Sequence, residues 1–201
     1  MLRVGLTGGL ASGKSFVGKT LEALGCHLLR ADELGHLVLA PDGEAYAGVV
    51  KVFGREILNL DLSINRRALA SIVFQQPERL ASLNALVHPP VIERQLRWLA
   101  GIEAVDAHGI AVVEAAILIE TGSYRRFNRL ILAVCTEEQQ IERAMKRDGL
   151  TREEVGQRLR RQMSLAEKRK FADYVIDTSG GKEDTARQVG VLYETLRSLK
   201  L

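Results

Sequence analysis

Residues Gly8, Gly9, Leu10, Ala11, Ser12, Gly13, Lys14 and Ser15 satisfy the phosphate-loop pattern G-x-x-x-x-G-K-[ST] at every fixed position. Each fixed residue has its own task. The glycines let the backbone curl so that successive N–H groups point inward at phosphate oxygens, and Lys14 brings a point charge to the β- and γ-phosphates. The Ser15 hydroxyl is a ligand for Mg²⁺. A helix that follows directly turns the positive end of its dipole toward the same phosphates. The chemistry is the binding of a nucleoside triphosphate, with the segment Gly8 to Phe16 as the contact set.

Groups suited to phosphoryl transfer lie further along the chain. Asp32 directly follows the apolar run Leu28-Leu29-Arg30-Ala31. Ligands of open parallel sheets gather outside the carboxyl ends of the strands, where an Asp can take the proton of an attacking hydroxyl. Asp is also a good helix N-cap, and one oxygen can cap while the other acts as base. Glu114 ends another apolar run, where P-loop proteins carry an acidic partner for Mg²⁺, and it could act through a water. Glu120 is a second acid, expected on the following helix. A purely structural role stays open for both glutamates.

Arg143 and Arg147 are four residues apart and share a helix face. Two guanidinium groups so placed could neutralise charge developing on a transferring phosphoryl group. Arg158, Arg161 and Gln162 form a second such face, whereas Lys168, Arg169 and Lys170 are expected in solvent. His88, before Pro89-Pro90, reads as a packing or hydrogen-bonding residue beside a turn. His27, His36 and His108 are scattered and suggest no metal set.

The elements that must hold these groups are also visible. Leu2–Thr7 is a short apolar strand, and Lys14–Leu24 is a helix with Phe16, Val17, Leu21 and Leu24 on one side and Gly25 just past its end. Further strands are expected at Cys26–Ala31, Ile110–Glu114, Leu130–Thr136 and Tyr174–Asp177. Helical stretches alternate with them. The fold class is therefore α/β, a doubly wound five-stranded parallel sheet of the P-loop NTPase, nucleoside-monophosphate-kinase-like type. Residues 33–106 carry helix-period apolar positions (Leu69, Ile72, Val73, Val91, Ile92, Leu96, Leu99), with Pro77 and Pro90 at expected helix starts. They read as a helical insertion. The patterns Thr136-x-x-Gln139, Thr151-x-x-Glu154 and Ser164-x-x-Glu167 are successive capping boxes, with Gly149 as a stop between the first two. One domain, 1–201, would thus comprise a core (1–32, 107–140, 171–201), the insertion 33–106, and a mobile helical lid at 141–170. That lid has a net charge of +5 and the rest of the chain −2.

Composition sets further bounds. The 201 residues, 46% of them hydrophobic, suffice for one α/β core with an insertion. No apolar run approaches the roughly 18 residues that span a bilayer, and no room remains before the first strand for a signal peptide. Cys26 and Cys135 read as buried reduced thiols, so a cytoplasmic location without membrane association is expected. A GTPase switch would need a guanine-reading Asn/Thr-Lys-x-Asp, but Gly181-Lys182-Glu183-Asp184 lacks the first residue. A nucleic-acid-binding ATPase is disfavoured by small size and the lack of an aromatic stacking platform. A small-molecule kinase accounts for the loop, the acid, the insertion and the arginine-bearing lid together. On residue chemistry alone, shikimate, gluconate and nucleoside monophosphate acceptors stay open.

Gly5-Leu6-Thr7-Gly8-Gly9 leading into Ser12-Gly13-Lys14-Ser15, Ala31-Asp32, His88-Pro89, Arg143…Arg147-Asp148-Gly149 and Ala172-Asp173-Tyr174-Val175-Ile176-Asp177 occur in that order. Together they resemble the dephospho-CoA kinase family over nearly the whole chain. The resemblance implies transfer of the ATP γ-phosphoryl group to the ribose 3′-hydroxyl of dephospho-CoA, the last step of coenzyme A synthesis. It implies Asp32 as base, Lys14 and Ser15 as phosphate and Mg²⁺ groups, and Arg143 and Arg147 as phosphate contacts. The insertion with His88, together with Glu120, Arg161 and Gln162, would receive the CoA moiety, and Thr178-Ser179-Gly180 would border the adenine. Two stretches depart from the family pattern. Ala116 and Ile119 stand where a Pro and a Phe are common, and Thr178 stands where an Asn is frequent.

Overall fold

The computed structural model describes residues 1–199, which fall into two compact units, residues 1–30 with 101–199, and residues 31–100. In chain order the helices are α1 (Lys14–Ala23), α2 (Ala31–Leu37), α3 (Tyr46–Phe53), α4 (Arg66–Gln75), α5 (Pro77–Val105), α6 (Glu137–Asp148), α7 (Arg152–Leu159), α8 (Leu165–Lys168) and α9 (Lys182–Ser198). The first unit is built on strands β1 (Leu2–Gly8), β2 (His27–Arg30), β3 (Ile110–Glu114), β4 (Arg129–Val134) and β5 (Tyr174–Asp177). They form one parallel sheet of order β2-β3-β1-β4-β5, the five-stranded α/β fold expected.

Strand ends shift where local bonds compete. Cys26 stays outside β2 because its N–H is held by the Leu21 carbonyl at 3.0 Å, and Ala31 already begins α2. Thr136 leaves β4 to cap α6. The alternation of a parallel strand puts Leu2, Val4 and Leu6 on one face of β1, where they pack with Val17 and Leu21 of α1 and Val189, Leu192 and Leu196 of α9. Gly5 faces the opposite side, where a Cβ would stand 2.9 Å from the Leu130 side chain. Because β3 and β4 flank β1, the chain changes direction at this central strand. The carboxyl ends of β1 and β3 therefore border the crevice where such sheets bind ligands.

In the second unit Val38, Val49, Phe53, Ile57, Leu69 and Val73 form a separate buried core. Asn65 starts α4 by accepting from the N–H groups of Arg67 and Ala68, each at 3.1 Å. The expectation of a helix start at Pro90 and a turn at His88 is corrected: α5 continues through Pro89 and Pro90. The φ of proline is compatible with helix, and Leu83, Leu86, Val87 and Val91 on either side pack against one core. Packing therefore outweighs the lost backbone bonds.

The basic segment has all three capping boxes in place, and Gly149 ends α6 at φ 67°. It also has an apolar seam, in which Ile141, Ala144 and Val155 pack with Leu10 and Ala11 of the glycine loop. No helix is long and apolar enough to cross a membrane, among the described residues.

Candidate active site

The loop leaves β1 at Gly8 and enters α1 at Lys14. Ala11 (φ 53°) and Gly13 (φ 85°) both take left-handed backbone, the signature of an anion-binding nest. Gly13 is required twice over, since its φ disfavours a side chain and a Cβ would lie 2.8 Å from the Thr178 hydroxyl. Its carbonyl accepts from the Phe16 N–H at 3.0 Å, closing the first turn of α1.

Beside the loop, the Ser15 hydroxyl donates to Glu114 Oε1 at 2.5 Å, and Lys14 Nζ stands 3.6 Å from the same oxygen. Glu114 is 3% exposed, and its Oε2 is buried with no hydrogen bond among the described residues. Buried polar atoms are almost always satisfied, so such an orphan marks a place for a missing partner. A hydroxyl and an open carboxylate oxygen are hard oxygen donors, a set that fits Mg²⁺ with its remaining positions filled by water and phosphate.

A cavity of about 160 Å³ is lined by Gly9, residues Ala11 to Phe16, Arg143 and Arg147. The structure thus brings both arginines of α6 to the loop. Arg143 is itself held in place, donating to the Thr178 carbonyl at 2.7 Å and hydroxyl at 3.2 Å. Arg147 pairs with Asp148 at 2.7 and 2.9 Å, which holds the Asp148 carboxyl below its ordinary range. Thr178 is buried, and its hydroxyl lies 2.8 Å from the Ser12 carbonyl, against the back of the loop. Ser179 bonds Asp177 through its N–H at 2.8 Å, and its carbonyl accepts from Gln139 at 2.8 Å. Gly180 adjoins them. Lys182 reaches over the Phe16 ring at 6.0 Å.

Two contributors to this neighbourhood, Lys168 and Gln140, were not expected in it. Lys168, expected in solvent, is 0% exposed. Its ammonium donates to the Ala116 carbonyl at 2.8 Å, pairs with Glu120 at 2.9 Å and lies 3.5 Å from the Gly8 carbonyl. These oxygens replace its hydration. Gln140 donates to the Leu10 carbonyl at 2.7 Å, while Gln162 accepts from the Leu10 N–H at 2.9 Å. Glu120 lies in a turn, not on a helix, and also accepts from the Met163 N–H at 3.2 Å. Arg158, Arg161 and Gln162 do not share a helix face, because α7 ends at Leu159; Arg161 is exposed beyond it. Among the cysteines, Cys26 is buried but Cys135 only partly so.

Asp32 and His88 belong to the second unit. Asp32 is exposed in the first turn of α2 and is not its N-cap, because the helix begins one residue earlier at Ala31. His88 is half-buried within α5, and desolvation pushes its pKa below the ordinary histidine value.

A phosphate loop on the central strand of a five-stranded parallel sheet, faced by an acid at the end of the neighbouring strand, is the architecture of the P-loop kinases. The comparison with known proteins narrows the class. Residues 2–184 match the model of the family CoaE, dephospho-CoA kinase. The dephospho-CoA kinase of Geobacter metallireducens is 40% identical over 194 residues, covering 96% of both chains. That of Aquifex aeolicus is 38% identical over 196 residues, covering 98% of both. The crystal structure of TT1252 from Thermus thermophilus superposes with a TM-score of 0.83 at 34% identity, covering 97% of each chain. The chain belongs to the dephospho-CoA kinase family.

Proposed function

We propose that this chain transfers the γ-phosphoryl group of ATP to the 3′-hydroxyl of the ribose of dephospho-CoA, releasing coenzyme A and ADP. The observation that carries this reading is the single cavity in which the loop Ala11–Phe16 meets Arg143 and Arg147, in a chain of this family. Loop N–H groups and Lys14 hold the β- and γ-phosphates. Arg147 neutralises charge that spreads onto the transferring oxygens, and Arg143, fixed by Thr178, keeps the α6 face in register. Ser15 and Glu114, the latter through a water, would hold Mg²⁺, which would supply positive charge to offset that of the phosphates.

Asp32 is the base that accepts the proton of the 3′-hydroxyl. Its support is its position two residues beyond the carboxyl end of β2. His88 of the helical unit 31–100 is an acceptor contact, and Glu120 and Arg161 are others. Ser179 and Gly180 border the adenine. The free thiols of Cys26 and Cys135 support work in the cytoplasm, and the small phosphate-loop cavity supports small-molecule substrates and not nucleic acid.

The test is ADP release in the presence of Mg²⁺ with dephospho-CoA, AMP, shikimate or gluconate as acceptor. Turnover is expected with dephospho-CoA alone. Activity only with another acceptor would overturn the assignment.

A further inference from the structure

Both backbone polar groups of Leu10 are held by glutamine amides, one on α6 and one beyond α7. Gln140 on α6 donates its Nε2–H to the Leu10 carbonyl at 2.7 Å, and Gln162, beyond α7, accepts the Leu10 N–H on its Oε1 at 2.9 Å. One residue therefore receives a donor at its carbonyl and an acceptor at its N–H, from side chains 130 and 152 residues away. The site is closed around this arrangement. Gln140 is 5% exposed, a Cβ on Gly9 would collide with its amide, and the Leu10 side chain packs into the seam of Ile141, Ala144 and Val155.

We infer that Gln140 and Gln162 are positioning residues, which set the nucleotide loop in its binding shape before ATP arrives. The physical need is plain. Ala11, the residue after Leu10, is in left-handed backbone without being glycine, a conformation that costs energy for an L side chain. Fixing the two peptides that flank the Leu10 Cα, one by its N–H and the other by its carbonyl, holds that conformation before nucleotide binds. Nucleotide binding is then relieved of the ordering cost, which is the general benefit of preorganisation. Gln162 would touch the loop backbone and not the acceptor, which reverses the role suggested by family resemblance.

The roles of the two amides differ, and the difference makes a test. Gln162 serves only through an acceptor oxygen, so a carboxylate can replace it. Glutamate at this position also adds negative charge near an anionic ligand, so any recovery it gives cannot arise from attraction. The experiment is titration of the purified full chain with MgATP by calorimetry, for the parent, Gln162→Leu and Gln162→Glu, together with KM for dephospho-CoA and the melting temperature of each.

Gln162→Leu is expected to raise the Kd for MgATP about fivefold, the worth of one neutral hydrogen bond, with the KM for dephospho-CoA unchanged. Gln162→Glu is expected to recover most of that loss. The inference rests on the loop holding ATP, and failure of the parent to bind MgATP would defeat that reading instead. The positioning role is overturned if Gln162→Leu binds MgATP as the parent does. It is equally overturned if Gln162→Glu binds no more tightly than Gln162→Leu, or if the loss falls on dephospho-CoA instead.

Discussion

Ser15 Oγ and Glu114 Oε1 stand 2.5 Å apart across 99 residues of sequence, and the second oxygen of that carboxylate is buried without a hydrogen bond. Replacing Glu114 by Gln keeps the shape but removes the charge that would draw a divalent cation. The Mg²⁺ concentration for half-maximal turnover should rise about 10- to 100-fold, the range for a group supporting a metal site. An unchanged Mg²⁺ dependence would show that the buried oxygen has another purpose.

Asp32→Asn removes the base while leaving the glycine loop intact. MgATP affinity should stay near the parent value, and kcat should fall at least about 10²-fold. Turnover within a few-fold of the parent would exclude Asp32 as the proton acceptor.

Arg143 and Arg147 should separate in their effects because their partners differ. Arg147→Ala frees Asp148 but disturbs no buried group, so it should slow single-turnover phosphoryl transfer more than it weakens dephospho-CoA binding. Arg143→Ala also leaves the Thr178 carbonyl unpaired and should lower stability by about 1–3 kcal/mol. Urea unfolding of both variants distinguishes them.

Lys168→Met should be among the most damaging changes in the basic segment. It removes a fully buried cation and leaves Glu120 and the Ala116 carbonyl without it. A loss of about 3 kcal/mol is expected by urea unfolding, at the lower end for a broken buried pair because Glu120 keeps some contact with water. Addition of Glu120→Gln should recover part of that loss. A surface-sized effect, below about 0.5 kcal/mol, would contradict the burial.

His88 supplies a pH prediction. Its folded pKa is depressed by desolvation, so below the ordinary histidine pKa the unfolded chain takes up a proton that the folded chain resists. Stability must therefore rise with pH between the depressed value and about 6.5, and fall on acidification through that window. The melting temperature of His88→Asn should change less between pH 7 and pH 5.5 than that of the parent. An identical pH slope would mean that His88 is as solvated when folded as when unfolded.

What the sequence made legible was local. The glycine loop, the capping boxes and the β1 and β3 runs each declare themselves within a few residues, and each forms as expected. Lys168 was misread because a lysine flanked by Glu167, Arg169 and Lys170 in a charged run looks solvated. Its three oxygens come from Gly8, Ala116 and Glu120, and no local pattern encodes that convergence. Gln140 was hidden for the same reason, as a polar side chain whose partner is a distant peptide, and Gln162, expected at the acceptor, bonds the Leu10 N–H instead. Pro89 and Pro90 misled in the other direction, since a local breaker was outweighed by packing on both sides.

The Ala116 carbonyl accepts from both the Thr7 hydroxyl at 3.2 Å and the Lys168 ammonium at 2.8 Å. What those donors require of residue 116 is an oxygen that every amino acid possesses, proline included. The position is thereby insulated from the identity of its own side chain, and substitutions can accumulate there while the contact persists. A saturation library should tolerate many residues at 116, yet few at 7 or 168, where the donor is the side chain itself. Mutational freedom and structural importance come apart at this one peptide.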